Sequence, residues 1–140
     1  MTSKEEKVKV LLAQFPLESH SRGAFTVIGM LRDSGMEVVY IGNSLPEQII
    51  NTAVQEGVDV VGISTLTGGE LVLGGKVIEL AKEKGITNNT AFVMGGIVPP
   101  EDEPDLRKMG FDVLFRPGAT REEIDKGIRG ALAAKRAIAR

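Results

Sequence analysis

The chain has 140 residues, 17 basic and 19 acidic, for a formal net charge of −2, so neither a nucleic-acid footprint nor binding to an anionic membrane is expected. It contains no cysteine, which excludes disulfides, thiolate metal sites and cysteine nucleophiles. No run of ~18 apolar residues could span a membrane, and the charged start at residues 1–7 lacks the apolar core of a signal peptide, so a cytoplasmic location is expected.

In chain order, short Val- and Ile-rich runs alternate with longer amphipathic ones. The first strand is expected over residues 8–14 and the first helix over 23–34. A second strand over 37–41 leads to a helix over 46–56, with Pro46 at its first position and Ser44 as a candidate cap. The third strand, 58–64, is the most uniformly apolar and reads as central. A helix over 71–84 follows, although Gly74-Gly75 falls within it. Two interior glycines each cost ~1 kcal/mol against alanine, so either the helix starts at Lys76 or something packs very close there. Strands over 91–94 and 113–115 and helices over 102–109 and 121–136 complete the pattern. Gly35, Gly57, Gly85 and Gly110 each follow a helical stretch, as left-handed caps do. Thr120 and Glu123 are spaced as a capping box.

Five strand–helix units imply an α/β fold, a three-layer open parallel sheet of flavodoxin-like type with order 2-1-3-4-5. The order rests on fold-level precedent. Ligands collect at the carboxyl ends of such strands, at the switch point between the first and third. The loop after the first strand carries the only histidine of the chain, His20, within Glu18-Ser19-His20-Ser21-Arg22-Gly23. A ligating imidazole commonly passes its other ring proton to a carboxylate, which would suit His20 and Glu18. The residues alone equally allow an exposed histidine beside a surface charge. Ser64 ends a buried strand, where its hydroxyl needs a partner; a ligand or neighbouring backbone could supply one. Leu66 would suit a pocket wall. Gly95-Gly96 would let backbone approach a ligand closely.

Other chemistries lack their residues. No G-x-G-x-x-G follows the first strand, and there is no phosphate-binding P-loop. A phospho-acceptor receiver would want aspartate after the third strand and lysine after the fifth, where this chain has Ser64 and Phe115-Arg116. No G-x-S-x-G nucleophile elbow is present. With Tyr40 the sole tyrosine and no tryptophan, a base-stacking platform is not expected.

Taken together, Glu18-x-His20-x-x-Gly23, Ser64-x-Leu66 and Gly95-Gly96 resemble the D-x-H-x-x-G, S-x-L and G-G pattern of the cobalamin-binding domain of adenosylcobalamin-dependent acyl-CoA mutases. The likeness runs from about Lys7 to Gly130 and is closest to the small subunit or C-terminal domain of methylmalonyl-CoA mutase and related enzymes. It includes Gly95 to Asp102 and Phe115 to Thr120, with Gly118. Glu18 stands where the pattern has Asp, and Ser19 where Gly is frequent.

The resemblance implies that residues 1–140 form one cobalamin-binding domain behind a short charged tail, 1–6. His20 would replace the cofactor's dimethylbenzimidazole as lower cobalt ligand, oriented by Glu18. The displaced nucleotide tail would enter the sheet edge, with Ser64 bonding the base, Leu66 lining its slot and Gly95-Gly96 flanking it. Ser19, Ser21, Arg22, Gly23 and Gly118 would complete the cofactor site. No acyl-CoA site is visible, and the chain is too short for a catalytic barrel. A separate large mutase subunit is therefore implied as partner, with this chain inactive alone. Methyl-carrying corrinoid proteins are similar but carry an N-terminal helical bundle, and only about seven residues precede the first strand here. A degenerate domain that kept the fold and lost the cofactor is the remaining alternative.

Overall fold

A computed structural model describes residues 7–19, 21–65 and 69–139. Its strands are β1 (Lys9–Gln14), β2 (Glu37–Asn43), β3 (Val60–Thr65), β4 (Ala91–Gly96) and β5 (Val113–Phe115). Its helices are α1 (Arg22–Asp33), α2 (Pro46–Glu56), α3 (Glu70–Glu83), α4 (Glu103–Met109) and α5 (Arg121–Ala139), with one 3-10 turn at Pro100–Asp102. The sheet order is β2-β1-β3-β4-β5 and every pairing is parallel. This is the expected flavodoxin-like arrangement, with the switch point between β1 and β3.

The differences from the sequence reading have local causes. β2 runs two residues past Ile41 because the register slips between Leu12 and Ala13, pairing Leu12 with Tyr40 and Ala13 with Gly42. Such a bulge tolerates a glycine at φ 68, which in sequence looks like a strand end. Ser44 does not cap α2. Its hydroxyl donates back to the carbonyls of Ile41 and Gly42, while Gln48 Oε1 accepts from the N-cap Leu45 N–H at 2.8 Å. Gly57 caps α2 in the left-handed conformation, whereas Gly110 sits outside that well at φ 137, where an L side chain is strained and its Cβ would press on Ile78 Cγ2 at 3.1 Å.

The sheet is covered unequally. On one face α2, α3 and α4 pack over a continuous core built on Leu11, Ile50, Val61, Ile63, Phe92 and Phe111. On the other face α1 and α5 lie over two separate clusters, one around Val10, Leu31, Val60 and Ile128 and one around Leu12, Ala24 and Ile28. The interruption in this second layer positions the site described below.

α5 is fastened at both ends. At its start Thr120 and Glu123 exchange the two bonds of a capping box, at 2.9 and 3.1 Å. Those bonds hold the Glu123 carboxyl below its ordinary range. At its far end Lys135 Nζ meets Asp112 Oδ2 at 2.8 Å and the Thr90 carbonyl at 2.7 Å, and Arg136 meets Asp59 at 2.5 Å. Both aspartates also accept strand N–H groups, Asp59 from Lys9 and Asp112 from Phe92. These contacts carry the helix three residues past Arg136.

α3 begins at Glu70, so Gly74-Gly75 lies inside the helix and close packing explains half of the pair. A Cβ on Gly74 would fall 3.1 Å from Phe111 Cε2 and 3.4 Å from Met94 Cε, whereas one on Gly75 would meet nothing within 4 Å. Gly75→Ala is therefore expected to raise stability by ~1 kcal/mol through helix propensity. Gly74→Ala should forfeit that gain to overpacking. Urea midpoints of the two variants check the contrast.

Candidate functional site

β1 ends at Gln14 and the chain turns immediately, with Glu18 N–H donating to the Phe15 carbonyl at 3.2 Å. Phe15 is sunk in the larger core and anchors the loop. Leu17 has φ 70, the one positive value at a non-glycine among the described residues, and its side chain is 94% exposed. A left-handed leucine costs about 1–3 kcal/mol, so the surroundings must impose it. Asn43 does so from the end of β2: its side-chain amide donates to the carbonyls of Phe15, at 3.0 Å, and Glu18, at 2.6 Å. The sequence reading missed Asn43 because Gly42-Asn43 resembles a turn rather than the continuation of a bulged strand.

The carboxylate side chain of Glu18 is buried, only 4% of the residue being exposed. His20 and Leu66 lie outside the described residues. Ser64 sits between Gln14 of β1 and Gly95 of β4 in register. Thr65, next along, turns to the opposite face and is fully buried, its hydroxyl without a hydrogen-bond partner.

The two adjacent glycines ending β4 are not equivalent. Gly96 has φ 121, and a Cβ on it would lie 1.9 Å from the Thr65 carbonyl oxygen. Its side-chain-free state is demanded by the protein's own sheet. A Cβ on Gly95 would make only an ordinary contact, 3.7 Å from Phe115 Cβ. Gly118 has φ 84 and open space around it. It follows Pro117 in a turn closed by Ala119 N–H to the Arg116 carbonyl at 3.2 Å. Proline second and a positive-φ glycine third are the signature of a type II turn.

These loops ring the mouth of a cavity of about 820 Å³, which extends down between α1 and α5. Ser19, Ser21, Arg22 and Gly23 reach it from one side, and Ser64, Gly95, Gly96 and Gly118 from the others. Of the described candidates, only Glu18 does not line it. Deeper down, the floor is Val10, Leu12, Gly62 and Val93 on the sheet, and the walls are Val27 and Met30 of α1 with Ile124 and Ile128 of α5. In sequence these residues fall within ordinary apolar strands and amphipathic helices. Gly62 was the available signal, a glycine in the middle of the most apolar strand. A Cβ there would approach Leu12 Cδ1 at 3.3 Å and Val93 Cγ2 at 3.4 Å, and its absence keeps the floor low. The volume lies in the range of small-molecule and cofactor sites.

The chemistry of the cavity is sharply divided. Its depth is aliphatic, and among the described residues the charged ones on its lining are Arg22 and Arg116, with no aspartate or glutamate. The rim outside it is unusually apolar. Leu17, Phe25, Leu45 and Val72, with Ile97 on the cavity lip itself, are all exposed, and all stand in or next to the loops at the carboxyl edge. Among the described residues no group of three or more His, Cys, Asp or Glu could hold a metal ion, and no helix is long and apolar enough to cross a membrane.

Comparison with known proteins agrees with this geometry. Residues 8–124 match the model of the B12 binding domain. The chain is 38% identical over 129 residues to the 2-hydroxyisobutanoyl-CoA mutase small subunit of Aquincola tertiaricarbonis, covering 91% of this chain and 94% of that one. It is 38% identical over 119 residues to the pivalyl-CoA mutase small subunit of Xanthobacter autotrophicus, covering 84% and 78%. Among solved structures it superposes on a cobalamin-binding protein from Desulfitobacterium hafniense with TM-score 0.75 and 20% identity, covering 90% of this chain and 60% of that one. A response regulator receiver domain from Clostridium thermocellum gives TM-score 0.69 at 19% identity, covering 94% and 98%. The shared fold explains the receiver likeness, because the acceptor aspartate is absent where β3 ends in Ser64-Thr65. The chain thus belongs to the B12-binding domain family, among the small subunits of acyl-CoA mutases.

Proposed function

We propose that the chain holds adenosylcobalamin for a carbon-skeleton rearrangement of an acyl-CoA whose binding site lies on a separate large subunit. The observation that carries this reading is the cavity between α1 and α5 at the switch point. It is aliphatic in depth, ringed by described residues of the three resembling motifs, and bordered by the half-buried Ser64 at the end of β3. A flat aromatic base fits such a slot, and a hydroxyl at its upper edge suits a ring nitrogen. The residues present therefore fit the nucleotide tail of the cofactor.

In this reading His20 would hold the cobalt and Glu18 would orient the imidazole. Ser64 bonds the displaced base, Leu66 lines its slot, and Gly95 admits the tail against the backbone. Ser19, Ser21, Gly23 and Gly118 shape the mouth. Bound adenosylcobalamin supplies a cobalt–carbon bond that breaks homolytically, and the protein's share is binding and orientation. The large subunit docks on the carboxyl edge, where Leu17, Phe25, Leu45, Val72 and Ile97 leave apolar surface in water. The chain is an isomerase subunit and turns over only in that complex.

Electron paramagnetic resonance of the cob(II)alamin complex tests the ligation. Superhyperfine splitting from a protein imidazole nitrogen is expected in the wild type and should vanish in His20→Ala. A benzimidazole nitrogen signal in both would overturn histidine ligation. Turnover of a panel of acyl-CoA thioesters, with and without co-purified large subunit, tests the division of labour. Isomerisation by the small chain alone would refute it.

A further inference from the structure

The division of charge around the cavity identifies a further binding residue; the argument rests on the cobalamin reading above and sharpens it. The chain as a whole is slightly acidic, yet among the described residues the two formal charges on the cavity lining are both guanidinium groups, Arg22 on the first turn of α1 and Arg116 in the turn between β5 and α5. Every other helix has an acidic residue in its first turn; α1 has none. The charged groups that the described lining presents at the mouth are therefore basic, while the interior is aliphatic. A ligand matched to that gradient is apolar at its inner end and anionic at the entrance. Cobalamin carries amides around its ring, and its one anion is the phosphodiester joining the buried base to the corrin.

Arg116 is equipped to change partners. Its side chain is 77% exposed and stands 3.3 Å from Glu103, at the start of α4. The guanidinium end of this pair is open to water, whereas the Glu103 side chain is 21% exposed; a pair screened on one side is weak, so a phosphodiester oxygen can compete with the carboxylate for the guanidinium. Guanidinium matches phosphate geometry better than lysine would.

We propose that Arg116 is the anion-recognition residue of the cofactor site. It exchanges Glu103 for the phosphodiester of the nucleotide tail when the base enters between α1 and α5, with Arg22 adding positive potential from the opposite wall.

Equilibrium dialysis with adenosylcobalamin and with adenosylcobinamide, which lacks both base and phosphate, tests this without requiring turnover. Arg116→Gln should weaken adenosylcobalamin roughly tenfold and flatten the salt dependence of its binding, leaving adenosylcobinamide unchanged. Glu103→Gln should move adenosylcobalamin the other way, to tighter binding, because it removes the competing carboxylate. A merely structural role for the ion pair would give both variants the same sign. Equal losses for the two corrinoids, or no change in either variant, would overturn the assignment while leaving the cobalamin reading intact. Failure of the wild type to bind adenosylcobalamin would instead overturn that reading and this one with it.

Discussion

Gly96→Ala is expected to cost at least ~4 kcal/mol, the range in which a single substitution is exceptional, and to abolish corrinoid binding. A Cβ placed 1.9 Å from the Thr65 carbonyl oxygen and 2.9 Å from its carbon cannot be relieved by a rotamer change, because both atoms are backbone. The ends of β3 and β4 would have to separate. That breaks the bond from Ile97 N–H to the same Thr65 carbonyl, now 3.1 Å long, and moves the loop behind it. The φ of 121 adds backbone strain for any L side chain. Since small domains are stable by only ~5–15 kcal/mol, the variant should either unfold or lose the upper edge of the sheet. Urea denaturation distinguishes these when combined with hydrogen exchange at Ile97. Global loss lowers the midpoint for every probe, and local loss exposes the β4 terminus first. An unchanged midpoint would show that the close approach to Thr65 is not what requires glycine there.

Gly95→Ala is the informative partner. Its Cβ would meet Phe115 Cβ at 3.7 Å, an ordinary contact, so stability should stay within ~1 kcal/mol of wild type. Any loss of corrinoid affinity then reports close approach of the ligand to the β4 backbone.

The same dipeptide marks what the sequence could and could not disclose. Both glycines were visible as a motif, and both were read as room for a ligand. Only the fold separates Gly96, which the sheet itself demands, from Gly95, which it does not, because that depends on how the β3 carbonyls face across the ladder. Alternation of Val-rich runs with amphipathic ones was enough to place all five strands and five helices, since burial on both faces of a parallel strand leaves a nearly uninterrupted apolar run. The helix caps at Gly57 and Thr120 were likewise local and therefore readable. The cavity was not readable from the residues that form its floor and walls. Val10, Leu12, Val93, Ile124 and Ile128 have the composition and spacing of core, and a missing layer of packing between α1 and α5 leaves no mark on either helix alone. Asn43 was hidden for a related reason. Its role depends on a bulge that shifts it beside a loop 25 residues earlier in the chain.

Filling that unpacked layer is the second large effect, and Gly62→Leu is the substitution that does it. Gly62 lies in the cavity floor, flanked on the same face by Leu12 and Val93. A leucine there would project into open volume rather than into packed core. The approaches are to Leu12 Cδ1 at 3.3 Å, the movable tip of a side chain that borders the cavity, and to Val93 Cγ2 at 3.4 Å, which needs a shift of a few tenths of an ångström beside the same open volume. Glycine inside a strand is itself unfavourable, by ~0.5–1 kcal/mol. The variant should therefore match or exceed the wild type in thermal stability. Its corrinoid affinity should nevertheless fall by about 100-fold or more, since the inserted side chain displaces the flat base and a loss of ~2.7 kcal/mol is readily incurred by such exclusion. Adenosylcobinamide, which has no base to place, should be spared. Stability maintained with selective loss of the nucleotide-bearing corrinoid is an outcome that a general folding defect cannot imitate. Unimpaired adenosylcobalamin binding by a folded Gly62→Leu protein would mean that the tail does not descend between α1 and α5.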